Sequence, residues 1–222
     1  NPGSGPNKNR QQATHAHGVY LNPDNNRLLI PDLGLDKVWS YAFDAKTSKF
    51  DADKGTPFTA EPGSGPRHVA FSPDHLHAYI VNELDNTVSA CAYDAKEGTL
   101  KSLQRISTLP DGWSGQTTTA EIEVHPNGRF VYASNRGHDS IAIFARDVKT
   151  GMLTSLGQTP CGGKTPRHFA IAPGGKWLIC AHQNSSTLAV LPLDPETGKL
   201  GSAGTPVACP NPICVLFGKK AD

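Results

Sequence analysis

The chain has 222 residues, a formal net charge of +1, 18% charged and 37% hydrophobic side chains. That length gives one large domain or two small ones with a real core, which excludes a disordered chain. The near-zero charge excludes a bulk nucleic-acid binder and a polybasic membrane surface, and no apolar run approaches the ~20 residues that span a bilayer. Twenty-two glycines, 18 prolines and a single methionine favour many turns and short strands over long helices.

Along the chain, residues 1–14 (NPGSGPNKNRQQAT) read as a loop or linker. Four segments then align without gaps, beginning at His17, Arg67, Ala120 and Arg167, and share a proline at Pro23, Pro73, Pro126 and Pro173. A fifth start, NPICVLF, begins at Asn211, and 218–222 form a tail. Each repeat parses alike. An alternating strand meets a Pro-Asp or Pro-Gly turn, and a second strand follows (HAYIVN, RFVYASN, KWLICAH). A polar turn leads to a third strand, and a hairpin signal (DAKEGTL, DVKTGML, DPETGKL) leads to an edge-like fourth. Gly98, Gly151 and Gly198 supply a left-handed turn position, which Ser48 fills in the first copy. Asp44, Asp94, Asp147 and Asp194 end the third strands as turn formers.

Four short antiparallel strands per unit predict an all-β fold, the blade of a β-propeller, with residues 15–217 as one partial domain. One blade cannot bury both faces alone, so neighbours must stack. The WD dipeptide is absent. Five cysteines include no C-x-x-C pair, so zinc or thioredoxin readings are poor, and Cys91 and Cys180 read as small buried hydrophobes. No metal or cofactor is required.

The segments HAHGVYLNPD, GPRHVAFSPD, VNELDNTV, SNRGHDSIAIF, TPRHFAIAP and NPICVLF, in this order, resemble the lactonase family of seven-bladed propellers. That family includes bacterial propeller-type 6-phosphogluconolactonases and fungal carboxymuconate-cyclising enzymes. The resemblance implies about four and a half blades of an expected seven, with further blades ahead of this chain, and open edges through which copies could self-associate.

In such a blade the start of the first strand and the end of the second lie on one face near the axis. This places His15, His17, Arg67, Glu121, Arg167 and His168 with Glu83 and Arg136 at one expected entrance. Arginine suits an anionic ligand because its planar fork binds carboxylate or phosphate bidentately. The muconate-cyclising branch implies roles for a histidine of HAH (His17 ahead of His15), Arg67, Glu83 and Arg136; Arg167, His168 and Glu121 rest on equivalent blade position. Lactone hydrolysis needs an activated water and a stabilised oxyanion. Glu83 or His17 would be the base, Arg136 the oxyanion partner, and Arg67 and Arg167 the anion holders. No G-x-S-x-G elbow is present, so water attack is favoured over a covalent serine.

Blander roles stand beside these. The arginines can bridge blades, Glu83 can pair one of them, His138 can cap a turn, and strand alternation sends His68 and His168 away from the arginines. The reading is a hydrolase of a small anionic sugar lactone, 6-phosphogluconolactone first, in the cytoplasm. A lactone-forming cycloisomerase and a non-enzymatic protein-binding propeller are the alternatives.

Overall fold

A computed structural model describes residues 2–218; Asn1 and the tail beyond Gly218 lie outside the described residues. Four antiparallel sheets follow one another along the chain, one per repeat. The first holds β1 (Tyr20–Leu21), β2 (Arg27–Asp32), β3 (Lys37–Asp44), β4 (Lys49–Phe50) and β5 (Thr56–Thr59). The second holds β6 (Pro66–Phe71), β7 (His77–Asn82), β8 (Thr87–Asp94) and β9 (Thr99–Ser107). The third holds β10 (Thr118–Val124), β11 (Phe130–Arg136), β12 (Ser140–Arg146) and β13 (Leu153–Pro160). The fourth holds β14 (Pro166–Ile171), β15 (Trp177–His182), β16 (Thr187–Pro192) and β17 (Val207–Ala208). These sheets are propeller blades, each a meander in chain order.

Two details differ from the sequence reading. In the first sheet the outer position is shared: β4 pairs with Phe43–Asp44 of β3, and after a 3-10 turn over Ala52–Lys54 the chain returns as β5 against Lys37–Ser40. At the other end, Asn211–Phe217 carries no strand. A strand needs a backbone ladder, and the amides bonded here go to side chains instead, Asn211 N to Ser186 Oγ at 3.3 Å and Val215 N to His168 Nδ1 at 3.4 Å.

The turns follow a positional code. Asn25, His75, Gly128 and Gly175 stand at one equivalent position, Asp36, Asn86, Asp139 and Ser186 at a second, and Ser48, Gly98, Gly151 and Gly198 at a third; all twelve have positive φ, between 52° and 74°. Only glycine and short polar side chains enter the left-handed region cheaply, and His75 is the one ring among them. The aspartates ahead of the third turn accept from the amides two and three residues on, as in Asp147 Oδ1 with Lys149 N at 2.8 Å and Thr150 N at 3.0 Å.

The chain forms two compact units. The first runs to Ser107 and takes in Asp147–Leu153; the second comprises Thr108–Arg146 and the chain from Thr154 onward. The first is cored by Leu29, Val38, Val69, Ile80, Cys91 and Tyr93. The second is cored by Phe130, Tyr132, Ile141, Phe169, Leu178 and Leu191. A tyrosine on the second strand clamps a turn in each unit. Tyr79 donates to the Gly151 carbonyl at 2.9 Å in the first, and Tyr132 to the Gly198 carbonyl at 2.9 Å in the second. The glycine is needed twice over at Gly198: its φ is +73°, and a Cβ would lie 2.3 Å from the Phe130 ring. Tyr132→Phe leaves that carbonyl without its buried donor, and the expected cost is about 1–2 kcal/mol in urea denaturation.

Candidate functional site

The two Pro-Arg-His segments are set by the same backbone device. Asp36 Oδ1 accepts from Gly65 N at 2.8 Å, and Asp139 Oδ1 accepts from Thr165 N at 2.8 Å. Gly65 and Thr165 both sit at positive φ, 65° and 60°. Each carbonyl is then tied to the end of the second strand, Gly65 O to Glu83 N at 2.8 Å and Thr165 O to Gln183 N at 3.0 Å. Between Pro66 and His68, and between Pro166 and His168, the register slips by one residue, so Arg67 and Arg167 are the inserted residues of β-bulges. A third slip lies between Thr119 and Ile122 and contains Glu121. Bulges re-aim side chains. In the first unit the expected alternation of Arg67 and His68 fails for this reason. Arg67 NH1 lies 2.9 Å from His68 Nε2, and His168 Nε2 lies 2.9 Å from Glu121 Oε2.

In the first unit Glu83 is the hub. Its Oε2 accepts from Arg67 Nε at 2.9 Å and its Oε1 from Arg10 NH2 at 2.8 Å. Arg67 and Glu83 are buried, with side chains 2% and 5% exposed. Glu83 thus pairs with two arginines, Arg67 among them. His17 joins the same cluster, its ring 5.3 Å from that of His68 and 5.8 Å from that of His15. Burial first, then the nearby Arg67 and His68, push the His17 pKa down to about 3. Its ring is neutral at any ordinary pH, which makes it a weak proton acceptor at neutrality. The buried Nδ1 of His17 has no hydrogen-bond partner among the described residues.

In the second unit Glu121 Oε2 stands 2.9 Å from His168 Nε2. Its other oxygen, Oε1, accepts from Ile122 N at 3.0 Å. On the far side of the ring, His168 Nδ1 faces Val215 N at 3.4 Å. That places the ring proton on Nε2 and leaves Nδ1 as the lone-pair nitrogen, in a contact longer than an ordinary hydrogen bond. Arg167 occupies the position of Arg67, but where Glu83 stands in the first unit, Gln183 stands here, with Oε1 3.4 Å from Arg167 NH1. Among the described residues no carboxylate neutralises this half-buried guanidinium. Arg136 spends NH2 on the Thr119 carbonyl at 2.9 Å. His138 Nδ1 meets Ser140 Oγ at 2.6 Å in the turn, with Trp113 edge-on to its ring at 4.4 Å.

Sequence reasoning missed three residues. Arg10 and the fully buried Gln11 lie in the segment read as a loop, and its polar composition carries no sign of docking. Glu123 follows Glu121 by two on the same strand, and nothing in the residues themselves distinguishes it. Desolvation first, opposed by a bond from Ile171 N at 2.8 Å and aided by the Glu121 charge, raises its pKa from 4.5 to about 7. An acid whose folded pKa is raised binds more protons in the folded state. Its stabilising contribution is complete below about pH 4.5 and is lost as pH rises through about 7. The expected loss is on the order of 3 kcal/mol. Denaturation at pH 5 and pH 8 should show Glu123→Gln removing that slope.

A family described as "Lactonase, 7-bladed beta-propeller" matches residues 1–217. Among curated relatives, a 6-phosphogluconolactonase of Bacillus subtilis is 36% identical over 167 residues, covering 75% of this chain and 46% of the relative. Among solved structures, the periplasmic gluconolactonase of Pseudomonas aeruginosa superposes with TM-score 0.87 at 34% identity, covering 96% of this chain and 59% of that one. A putative 6-phosphogluconolactonase of Bacteroides fragilis does so with TM-score 0.87 at 33% identity, covering 99% and 62%. The chain spans about half the length of the curated relatives it matches.

Proposed function

The chain belongs to the lactonase family of seven-bladed β-propellers, and from that premise we propose that it opens a sugar lactone by water attack, with 6-phosphogluconolactone as substrate. The observations that support this reading are, in the second unit, an imidazole 2.9 Å from a buried carboxylate, His168 with Glu121, and the arginine that precedes it in the chain, Arg167, which no acid neutralises among the described residues. The Val215 amide faces His168 Nδ1 as the lone-pair nitrogen, and in this scheme Nδ1 takes a proton from water as its oxygen bonds to the lactone carbonyl carbon. The carbonyl becomes a tetrahedral oxyanion, and Arg167 supplies positive charge for it or for the substrate's phosphate. When the ring C–O bond breaks, the same nitrogen returns the proton to the leaving ring oxygen. No covalent enzyme intermediate is needed.

In this scheme Glu83 and Arg67 hold one another, and neutral His17 offers its Nδ1 as a hydrogen-bonding group rather than as a base. A second reading assigns the chemistry to His17, Arg67, Glu83 and Arg136, which the family motif favours. The two separate in one experiment. Lactone opening is followed against the spontaneous rate for wild type, His168→Ala, Arg167→Ala and His17→Ala, with 6-phosphogluconolactone and unphosphorylated gluconolactone. The expected result is a fall in kcat of about 10²–10⁴ in His168→Ala, and a rise in KM in Arg167→Ala that is larger for the phosphorylated lactone. Full activity in His168→Ala with its loss in His17→Ala gives the chemistry to the first unit. A wild-type rate no faster than the spontaneous one for either lactone sinks both readings.

A further inference from the structure

The end of the second strand is built on one plan in the third and fourth repeats. In the third, Asn135 Nδ2 donates to the Thr108 carbonyl at 3.0 Å, and Asn135 Oδ1 accepts from Thr108 Oγ1 at 2.6 Å. In the fourth, His182 takes the asparagine position and Cys161 the threonine position, with His182 Nε2 3.0 Å from the Cys161 carbonyl. The fold requires only a hydrogen bond here. The fourth repeat makes it from a thiol and an imidazole, and adds a second thiol: Cys180, two residues before His182 on β15, points to the same side. Cys161, Cys180 and His182 are each 0% exposed. The two sulfurs and a ring nitrogen all lie within 4.8 Å of one another.

We propose that Cys161, Cys180 and His182 form a binding site for a single zinc ion, built on the fourth repeat and separate in chemistry from the lactone site. Zn–S and Zn–N bonds of about 2.3 and 2.1 Å bring such ligand atoms to within about 4 Å of each other, which needs only a small closure from the present spacing. His182 would ligate through one ring nitrogen while the other keeps an outer hydrogen bond, the partners being the Cys161 carbonyl on Nε2 and Thr187 Oγ1, 3.2 Å away, on Nδ1. Two thiolates and a neutral imidazole around a divalent cation sum to zero charge, the sum that a fully buried site tolerates best. Binding releases two thiol protons to solvent. The carbonyl oxygens of Asp139 and Gly163, 3.1 and 3.2 Å from Cys161 Sγ, stand ready as an oxygen donor for the fourth position. The soft S₂N set selects zinc over magnesium or calcium. The spacing 161, 180, 182 matches no short C-x-x-C signature, which is why the sequence alone argued against zinc.

The test uses the reduced chain without oxygen, titrated with Co²⁺ as the coloured probe and then with Zn²⁺. The expected result is one equivalent of thiolate-to-cobalt absorption, displaced by zinc, together with a zinc-dependent rise in Tm. The double variant Cys161→Thr/His182→Asn restores the pair used by the third repeat. It should fold, show no thiolate–cobalt band, and keep its Tm when zinc is added. Cys180→Ser should weaken cobalt binding at least tenfold. The proposal is overturned if folded wild type gives no thiolate–cobalt band, if the double variant gives the same band, or if the thiols are found only as a Cys161–Cys180 disulfide after aerobic purification and bind no metal once reduced.

Discussion

Glu83→Ala is expected to lower the stability of the first unit by about 3–5 kcal/mol, the cost of breaking a buried ion pair from one side. The reason is the asymmetry of its two partners. Arg10 is 40% exposed and can turn to water, whereas Arg67 is 2% exposed and would keep its charge inside without the carboxylate. Glu83→Gln retains an acceptor for Arg67 Nε at 2.9 Å and should lose less. Arg10→Ala should cost under about 1 kcal/mol, as partly exposed pairs do. Urea denaturation of the three variants checks the order. A Glu83→Ala protein within about 1 kcal/mol of wild type would mean that Arg67 does not depend on this pair. A loss of that size is a large part of a domain's total stability. Inactivity of Glu83→Ala would therefore mix folding with chemistry, and His168, Arg167 and His17 are the better probes of the reaction.

Gly34→Ala is the second large effect, and it acts on backbone. A Cβ at Gly34 would stand 1.9 Å from the Ala13 carbonyl oxygen and 2.9 Å from His15 N. The segment through His15 cannot give way freely, because His15 N is bound to Asp32 Oδ1 at 2.8 Å and Leu33 N to the His15 carbonyl at 3.0 Å. The expected stability loss is about 1–3 kcal/mol. The sharper readout is His17, whose pKa of about 3 depends on burial and on Arg67 and His68. Moved out of that cluster, it should titrate closer to its ordinary 6.5. An NMR titration of the histidine ring protons would show it, and an unmoved His17 would mean that the chain absorbs the methyl elsewhere.

The repeat was legible because its signals are local. Pro23, Pro73, Pro126 and Pro173 mark one turn, and Ser48, Gly98, Gly151 and Gly198 another, each demanding a backbone shape that few residues adopt. The polar clusters were only partly legible. Alternation parts Arg67 from His68, and nothing in the residues GPRHVAF announces the inserted bulge residue that brings them together. Arg10 was hidden for a related reason: its partner Glu83 is 73 residues away, and its own neighbours are loop-like. The sequence did place Glu83 beside Arg67 but left its purpose open, since a pocket acid and a structural counter-ion use the same side chain. Residue 183 shows the contrast, because one amide in place of a carboxylate leaves Arg167 with its charge unspent.

The bulges also bear on how a chain of this kind acquires new chemistry. Each arises from main-chain register at the head of a first strand, and two kinds of occupant are found: arginine in two copies, Arg67 and Arg167, and Ala120 with Glu121 in a third. The main chain does not dictate which residue stands there. Tandem duplication of a repeat therefore hands the gene a spare, already aimed position. A single codon change at that position can alter the chemistry without disturbing the strand that presents it.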